Sequence, residues 1–224
     1  MSIDPSDIVY FQYGFIKITA TLVYTWVVML ILIVGSLFIT RSIGKENDPL
    51  KVTKSQNIAE ALIVTVKGQI REVTQEDSGK YLPFIGTIFI FILFSNVISI
   101  IPWFISPTAS LNTTTALAVC VFLAVPFYGI QSQGIGNYLK QYVKPNIIML
   151  PFNIIGEMSR TLSLAVRLYG NIMSSGLIVI ILLGILPLFF PVLVNAFGLL
   201  MGGIQAYVFA ILSIVYIASS TKKD

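Results

Sequence analysis

Histidine is absent from the 224 residues, and cysteine occurs once. The first absence removes the commonest metal ligand and the usual proton shuttle near neutral pH. The second excludes a disulfide or cysteine-based metal framework, since Cys120 stands alone in an apolar run. Charge is scarce too: 11% of residues are Asp, Glu, Lys or Arg, where a soluble domain carries about 25%. With 56% hydrophobic residues and a mean hydropathy of +0.88, the composition excludes an ordinary soluble domain. The net charge of +4 comes mostly from short loops, so it concerns orientation in a bilayer, not nucleic acid. No cofactor, metal or catalytic group is expected.

What remains is a set of apolar runs long enough to cross a hydrocarbon core, which takes roughly 20 helical residues. The first covers Ile16 to Thr40 and contains Lys17 near its start. It is too long for the h-region of a secretory signal, and the residues before it include Asp4 and Asp7, not a basic cluster. A retained spanning helix is expected. Residues 41–80 then alternate basic and acidic side chains. Within them, "IAEALIVTVKGQI" (Ile58 to Ile70) has apolar residues at helical spacing, which fits an interfacial helix or, alternatively, a soluble hairpin.

The second span is expected over Tyr81 to Phe104, with Trp103 at the interface. "SPTASLN" (Ser106 to Asn112) reads as a turn, with Asn112 or Thr113 as cap of a third span over 113–130. A polar, glycine-containing stretch with Lys140 and Lys144 follows. Two long helices, 148–183 and 192–219, flank the break at "GILPLFFP" (Gly184 to Pro191). The expectation is therefore an all-α polytopic membrane protein forming a single membrane domain, 1–224. It has about five spans and an interfacial helix, and the last two helices are long and tilted. The lysines and arginines of the 41–80 loop, the 140–144 loop and the tail at Lys222 and Lys223 fall on one side. That segregation puts the N-terminus outside and the C-terminus in the cytoplasm.

From Pro145 to Thr221 the only charged residues are Glu157, Arg160 and Arg167. A charge at the bilayer centre costs roughly 2.5–3.5 kcal/mol on insertion scales, so such residues mark function by default. At 100° per residue Arg160 and Arg167 lie within about 20° of each other on one helix face. Asn153, Gly156, Ser163, Gly170, Asn171 and Ser174 share that side, with Glu157 at its edge. Lipid cannot satisfy such a stripe, which must face water, protein or a moving polar partner.

Three readings stand at this point. Glu157 and Arg160 pair within the helix while Arg167 bonds to a neighbour; or the small residues serve close helix packing; or the stripe lines an ion path. Packing accounts for Gly156, Gly170 and Ser174 but not for Arg167. A guanidinium is a poor proton carrier because its pKa exceeds about 12, and it serves better as a fixed cation. Glu157 is about 15 Å along the axis from Arg167 and cannot pair with it. A carboxylate meeting Arg167 is expected on another subunit.

The stretches "PFNIIGEMSRTLSLAVRLYGNI" (Pro151 to Ile172), "GLLMGGIQAYVFAILSIVYI" (Gly198 to Ile217), "FIFILFSNVISIIPWF" (Phe89 to Phe104) and "SPTASLNTT" (Ser106 to Thr114) resemble subunit a of the F-type rotary ATP synthases, over about residues 81–219. The resemblance implies a non-catalytic stator subunit beside a c-ring, with peripheral-stalk (b-type) subunits, the rest of the synthase and membrane lipid as further partners, in a prokaryotic energy-coupling membrane. It implies that Arg167 separates two aqueous half-channels and meets the ring carboxylate. Asn171 and Gln205 then line or support the path, and Glu157 stands on the cytoplasmic-side access route. Arg160, Ser163, Ser174, Asn153 and Asn112 are the supporting or lining residues. The coupling ion would be H⁺ or Na⁺.

Several positions depart from the family pattern. Gly176 stands where an acid is common, Gly198 where some members carry histidine, Arg160-Thr161 where Lys-Pro is usual, and Ser110 where Asp is frequent. The far-side half-channel thus lacks its usual titratable groups. The competing function is an independent channel or secondary carrier, a class that often shows two similar halves; no such repeat occurs here.

Overall fold

The computed structural model describes residues 9–13, 16–43, 54–74, 79–99, 101, 104, 106–143, 148–185 and 190–221. Seven helices dominate these residues: α1 (Ala20–Ile43), α2 (Lys54–Thr74), α3 (Leu82–Ile98), α4 (Leu111–Gln133), α5 (Ile135–Val143), α6 (Met149–Ile185) and α7 (Phe190–Thr221). Four of them, α1, α4, α6 and α7, are long and apolar enough to cross a membrane; α3 is a shorter apolar helix of 17 residues. The all-α polytopic architecture expected from the apolar runs is the one observed.

One element departs from it. Val9–Tyr13 (β1) and Ile16–Thr19 (β2) pair antiparallel as a hairpin, so the first helix starts at Ala20 and not at Ile16. The alternation Ile-Lys-Ile-Thr at the head of the apolar run has the two-residue period of a strand, and the run as a whole masked it. The other bounds shift by a few residues. α2 is one continuous helix, packed on α3 and α7 through buried Val66 and Ile70 while Glu60, Lys67, Arg71 and Glu72 stay exposed. α3 ends at Ile98, short of the Phe104 limit expected from the run. Trp103, Lys144, Lys222, Lys223, Asp4 and Asp7 lie outside the described residues, as do residues 186–189 of the break between the last two helices.

The cap of α4 is a further correction. Neither Asn112 nor Thr113 fills that position: Ser110, with extended backbone after a 3₁₀ turn over Pro107–Ala109, precedes the first helical residue Leu111. Its hydroxyl makes no capping bond, and its carbonyl accepts the N–H of Thr114 at 3.1 Å. The turn simply closes two residues earlier than Asn112 suggests, because Pro107 sets the φ that starts it.

α4 ends where Gly134 adopts φ +80, a backbone that favours glycine. Gly134 donates its N–H to Ile130 O at 2.8 Å and accepts from Tyr138 N at 3.1 Å, so α5 begins at once. The polar stretch after the third span is thus a helix, not a loop. Tyr138 folds back onto α4 at Gly129, where an added Cβ would lie 2.6 Å from its ring.

The core collects α3 (Ile85, Ile92), α4 (Ala118, Val121), α6 (Leu164, Leu168) and α7 (Phe209, Ile214, Ile217). α7 packs on α3, α4 and α6, and α4 on α6. Lipid is as apolar as leucine, so such packing relies on close backbone approach and polar ties more than on apolar burial. Both devices recur in the site.

Candidate functional site

In α6 the residues Leu164, Ala165 and Leu168 are buried. Their face centres about 100° around the helix from Arg167. Arg160, Ser163, Arg167 and Ser174 are exposed, while Asn153, Gly156, Glu157, Gly170 and Asn171 are half-buried along the seam with the bundle. The polar stripe of the sequence is therefore one physical surface on the outside of this chain, with exposed Leu162 and Val166 beside it. Arg167 has no hydrogen-bond or ion-pair partner among the described residues.

Three contacts fix how α7 meets α6. A Cβ at Gly198 would collide with Ser175 Oγ, Asn171 Nδ2 donates to Met201 O at 3.3 Å, and the Arg160 guanidinium lies over the Tyr216 ring, 5.6 Å from its centroid. Positions fall in α6 as they rise in α7, so the helices run antiparallel. Arg167 is one turn before Asn171 and Gln205 one turn after Met201, each a step of about 6 Å. The two side chains thus stand at one level, Arg167 exposed on α6 and Gln205 buried on α7. A side chain at position 198 would require the Ser175 hydroxyl to turn away.

Toward the start of α6 a cavity of about 390 Å³ opens between Asn153, Gly156, Glu157 and Arg160 on one side and Ser219 and Ser220 of α7 on the other, with Tyr138 of α5 and Phe152 completing the wall. The end of α7 is tied to α4 here: Gln133 Nε2 donates to Ser220 O at 3.0 Å and Ser220 Oγ to Val125 O at 3.1 Å. With one acid, one cation and several hydroxyls among its described lining residues, the vestibule can admit water and a small cation.

At the opposite end of the bundle, hydrogen bonds link the 3₁₀ turn to α3 and α7. Ser106 Oγ bonds to Ser95 O (3.1 Å) and lies 2.7 Å from Thr108 Oγ1. Thr108 Oγ1 donates to Asn96 Oδ1 (3.0 Å), and Asn96 Nδ2 to Gly202 O (2.8 Å). Glycine at 202 suits this approach, since a Cβ would sit 3.0 Å from Asn96 Cγ and the amide would have to give way. Ser95 Oγ, Ser110 Oγ and Gln205 Nε2 are buried near these bonds without a hydrogen-bond partner among the described residues. Each such atom costs about 1–3 kcal/mol until water or a partner satisfies it.

The structure thus gathers Asn153, Glu157 and Arg160 in one vestibule, and sets Arg167 and Gln205 at one level of the α6–α7 pair, with Asn171 one turn away on α6. Ser163 and Ser174 are exposed on the stripe, and Asn112 is exposed in the first turn of α4; no hydrogen bond ties these three to the other site residues among those described. Sequence reasoning missed Tyr138, Ser219 and Ser220 at the vestibule, Tyr216 beside Arg160, and Asn96 and Thr108 in the turn network. Only Asn96 carried a signal, as an amide inside an apolar span.

The family model described as "ATP synthase A chain" matches residues 22–218. The chain belongs to that family. It is 50% identical over 224 residues to ATP synthase subunit a 2 of Acaryochloris marina (strain MBIC 11017), covering all of this chain and 94% of that protein. It is 52% identical over 222 residues to ATP synthase subunit a of Albidiferax ferrireducens, covering 99% of this chain and 95% of the relative. To ATP synthase subunit a of Nitrosospira multiformis it is 48% identical over 224 residues, covering all of this chain and 88% of the relative. Membership in the ATP synthase A chain family, with four helices of spanning length, makes this an integral membrane protein and a membrane subunit of an F-type ATP synthase, serving ATP synthesis and ion transport.

Proposed function

We propose that this chain is the non-catalytic, ion-translocating stator subunit of its synthase. It offers two aqueous half-channels to the carboxylates of a c-ring, and Arg167 separates them. One observation carries the reading: an arginine on the outer face of a spanning helix, without a partner among the described residues of its own chain. A permanently charged group in that position calls for a counter-charge brought by another subunit. The ring face is then the Arg160–Arg167–Ser174 stripe of α6, with Asn171 and Gln205 supporting Arg167. The vestibule at Glu157 and Arg160 is the cytoplasmic-side entrance. On the far side, Ser95, Ser110 and Gln205 offer polar atoms for water where the family's acids and histidine are replaced by Gly176 and Gly198. Coupled flow of H⁺ or Na⁺ turns the ring. Ring subunits, b-type stalk subunits and the rest of the synthase are the partners, in a prokaryotic cell membrane with the N-terminus outside.

Affinity purification through a tag on this chain, followed by reconstitution, tests the assignment against an independent channel or carrier. The expected result is recovery of a ring of small hairpin subunits, with no ion flux from the chain reconstituted alone. Robust flux from the lone chain in liposomes would overturn it.

A further inference from the structure

Tyr216 has no role in the proposed ion path, yet it meets Arg160, the one cation among the described lining residues of the vestibule. Its ring lies 5.6 Å from the Arg160 guanidinium carbon. Arg160, Glu157 and Ser219 each line two cavities: the vestibule of about 390 Å³ and a second of about 20 Å³. Tyr216 lines only the smaller one, whose remaining wall is Val121, Phe122 and Val125 of α4 with Thr161. The aromatic face is therefore on the inner side of the guanidinium, in the apolar recess between α4 and α7. Tyr216 is half-buried and packs against the core. The guanidinium contact is the only polar interaction of its side chain among the described residues; its backbone carbonyl accepts Ser219 Oγ at 2.8 Å. A guanidinium is drawn to an aromatic face, most strongly where water is scarce.

We propose that Tyr216 is a positioning residue that holds Arg160 against the inner wall of the vestibule and so keeps the passage beside Glu157 open to the translocated cation. This rests on reading the vestibule as an ion entrance. Arg160 has a long, flexible stem. Released from the ring, its charge ranges over the cavity and repels each arriving cation. The face of the ring does the holding, so the hydroxyl is dispensable.

The test is ATP-driven ion pumping in inverted vesicles carrying assembled complex, with uncoupled ATP hydrolysis as the control. Tyr216→Leu should pump about five-fold more slowly, the factor that a surface-to-buried cation–π contact of about 1 kcal/mol supplies. Tyr216→Phe should restore the rate. A series of phenylalanines at 216 with one, two and three ring fluorines should slow pumping in steps, because fluorine drains the negative face while leaving shape almost unchanged. In an Arg160→Gln background Tyr216→Leu should add nothing, since the ring then has no charge to hold. A flat fluorine series, or an undiminished Tyr216→Leu effect without the arginine, would overturn this inference alone. Wild-type pumping by Glu157→Gln would instead overturn the reading of the vestibule as an entrance, on which it rests.

Discussion

Glu157 and Arg160 are one turn apart on α6 and share the vestibule wall, but they are expected to differ in what they do. A carboxylate at the mouth of an ion path concentrates cations and can pass a proton on; its amide isostere does neither. Glu157→Gln should slow ATP-driven pumping severalfold while the complex still assembles, as read by subunit composition after purification. Unchanged pumping would reduce Glu157 to a structural group. Gly202 is a residue of a different kind. A side chain there meets Asn96 at 3.0 Å and breaks the bond from Asn96 Nδ2 to Gly202 O. Gly202→Val should cost about 1–3 kcal/mol from overpacking alone. A lower thermal aggregation temperature of the detergent-purified complex would show it, and an unaltered one would mean that α3 and α7 can move apart freely.

At the scale of elements, α6 and α7 have 37 and 32 residues. At 1.5 Å per residue they are about 55 and 48 Å long, against roughly 30 Å of hydrocarbon. Helices so much longer than the core must tilt or bend. We expect both to lie strongly inclined across the ring, and an electron-microscopy map of the complex showing them upright would contradict this. The long apolar runs make these helices legible in the sequence, and the 3.6-residue period places Arg160, Arg167 and Ser174 on one face. Other elements were hidden for physical reasons. β2 sits inside an apolar run whose strand period is only four residues long. α5 is nine residues between glycines and lysines, and its place depends on Tyr138 finding Gly129. The cap of α4 depends on the 3₁₀ turn before it, which no local propensity of Asn112 reports.

For the whole molecule, the bundle is asymmetric in a way its sequence shows only in part. The charged stripe of α6 could be read locally, whereas its relation to α7 needed contacts between residues 23 to 56 positions apart: Asn171 with Met201, Ser175 with Gly198, Arg160 with Tyr216. The Asn96–Gly202 bond joins residues 106 positions apart. Such pairings place the vestibule at one end of the bundle, the polar turn network at the other, and Arg167 with Gln205 between. On the proposed reading, with both ends hydrated, a fixed cation between them has two consequences. At about 4 Å and an effective dielectric near 20 it attracts a carboxylate by about 4 kcal/mol, which favours an ionised ring site facing it. It also repels a cation crossing directly between the ends, a leak that would dissipate about 2.3 kcal/mol per charge for each 100 mV.

Replacing Arg167 removes both effects. The decisive measurement is ATP synthesis under an imposed ion gradient, in membranes carrying assembled complex with Arg167→Ala, beside Arg167→Lys as the charge-retaining control. Arg167→Ala should abolish coupled synthesis, and Arg167→Lys should be badly impaired because the planar fork is lost although the charge remains. Near-normal synthesis by Arg167→Ala would contradict the assignment of this helix face as the ion path.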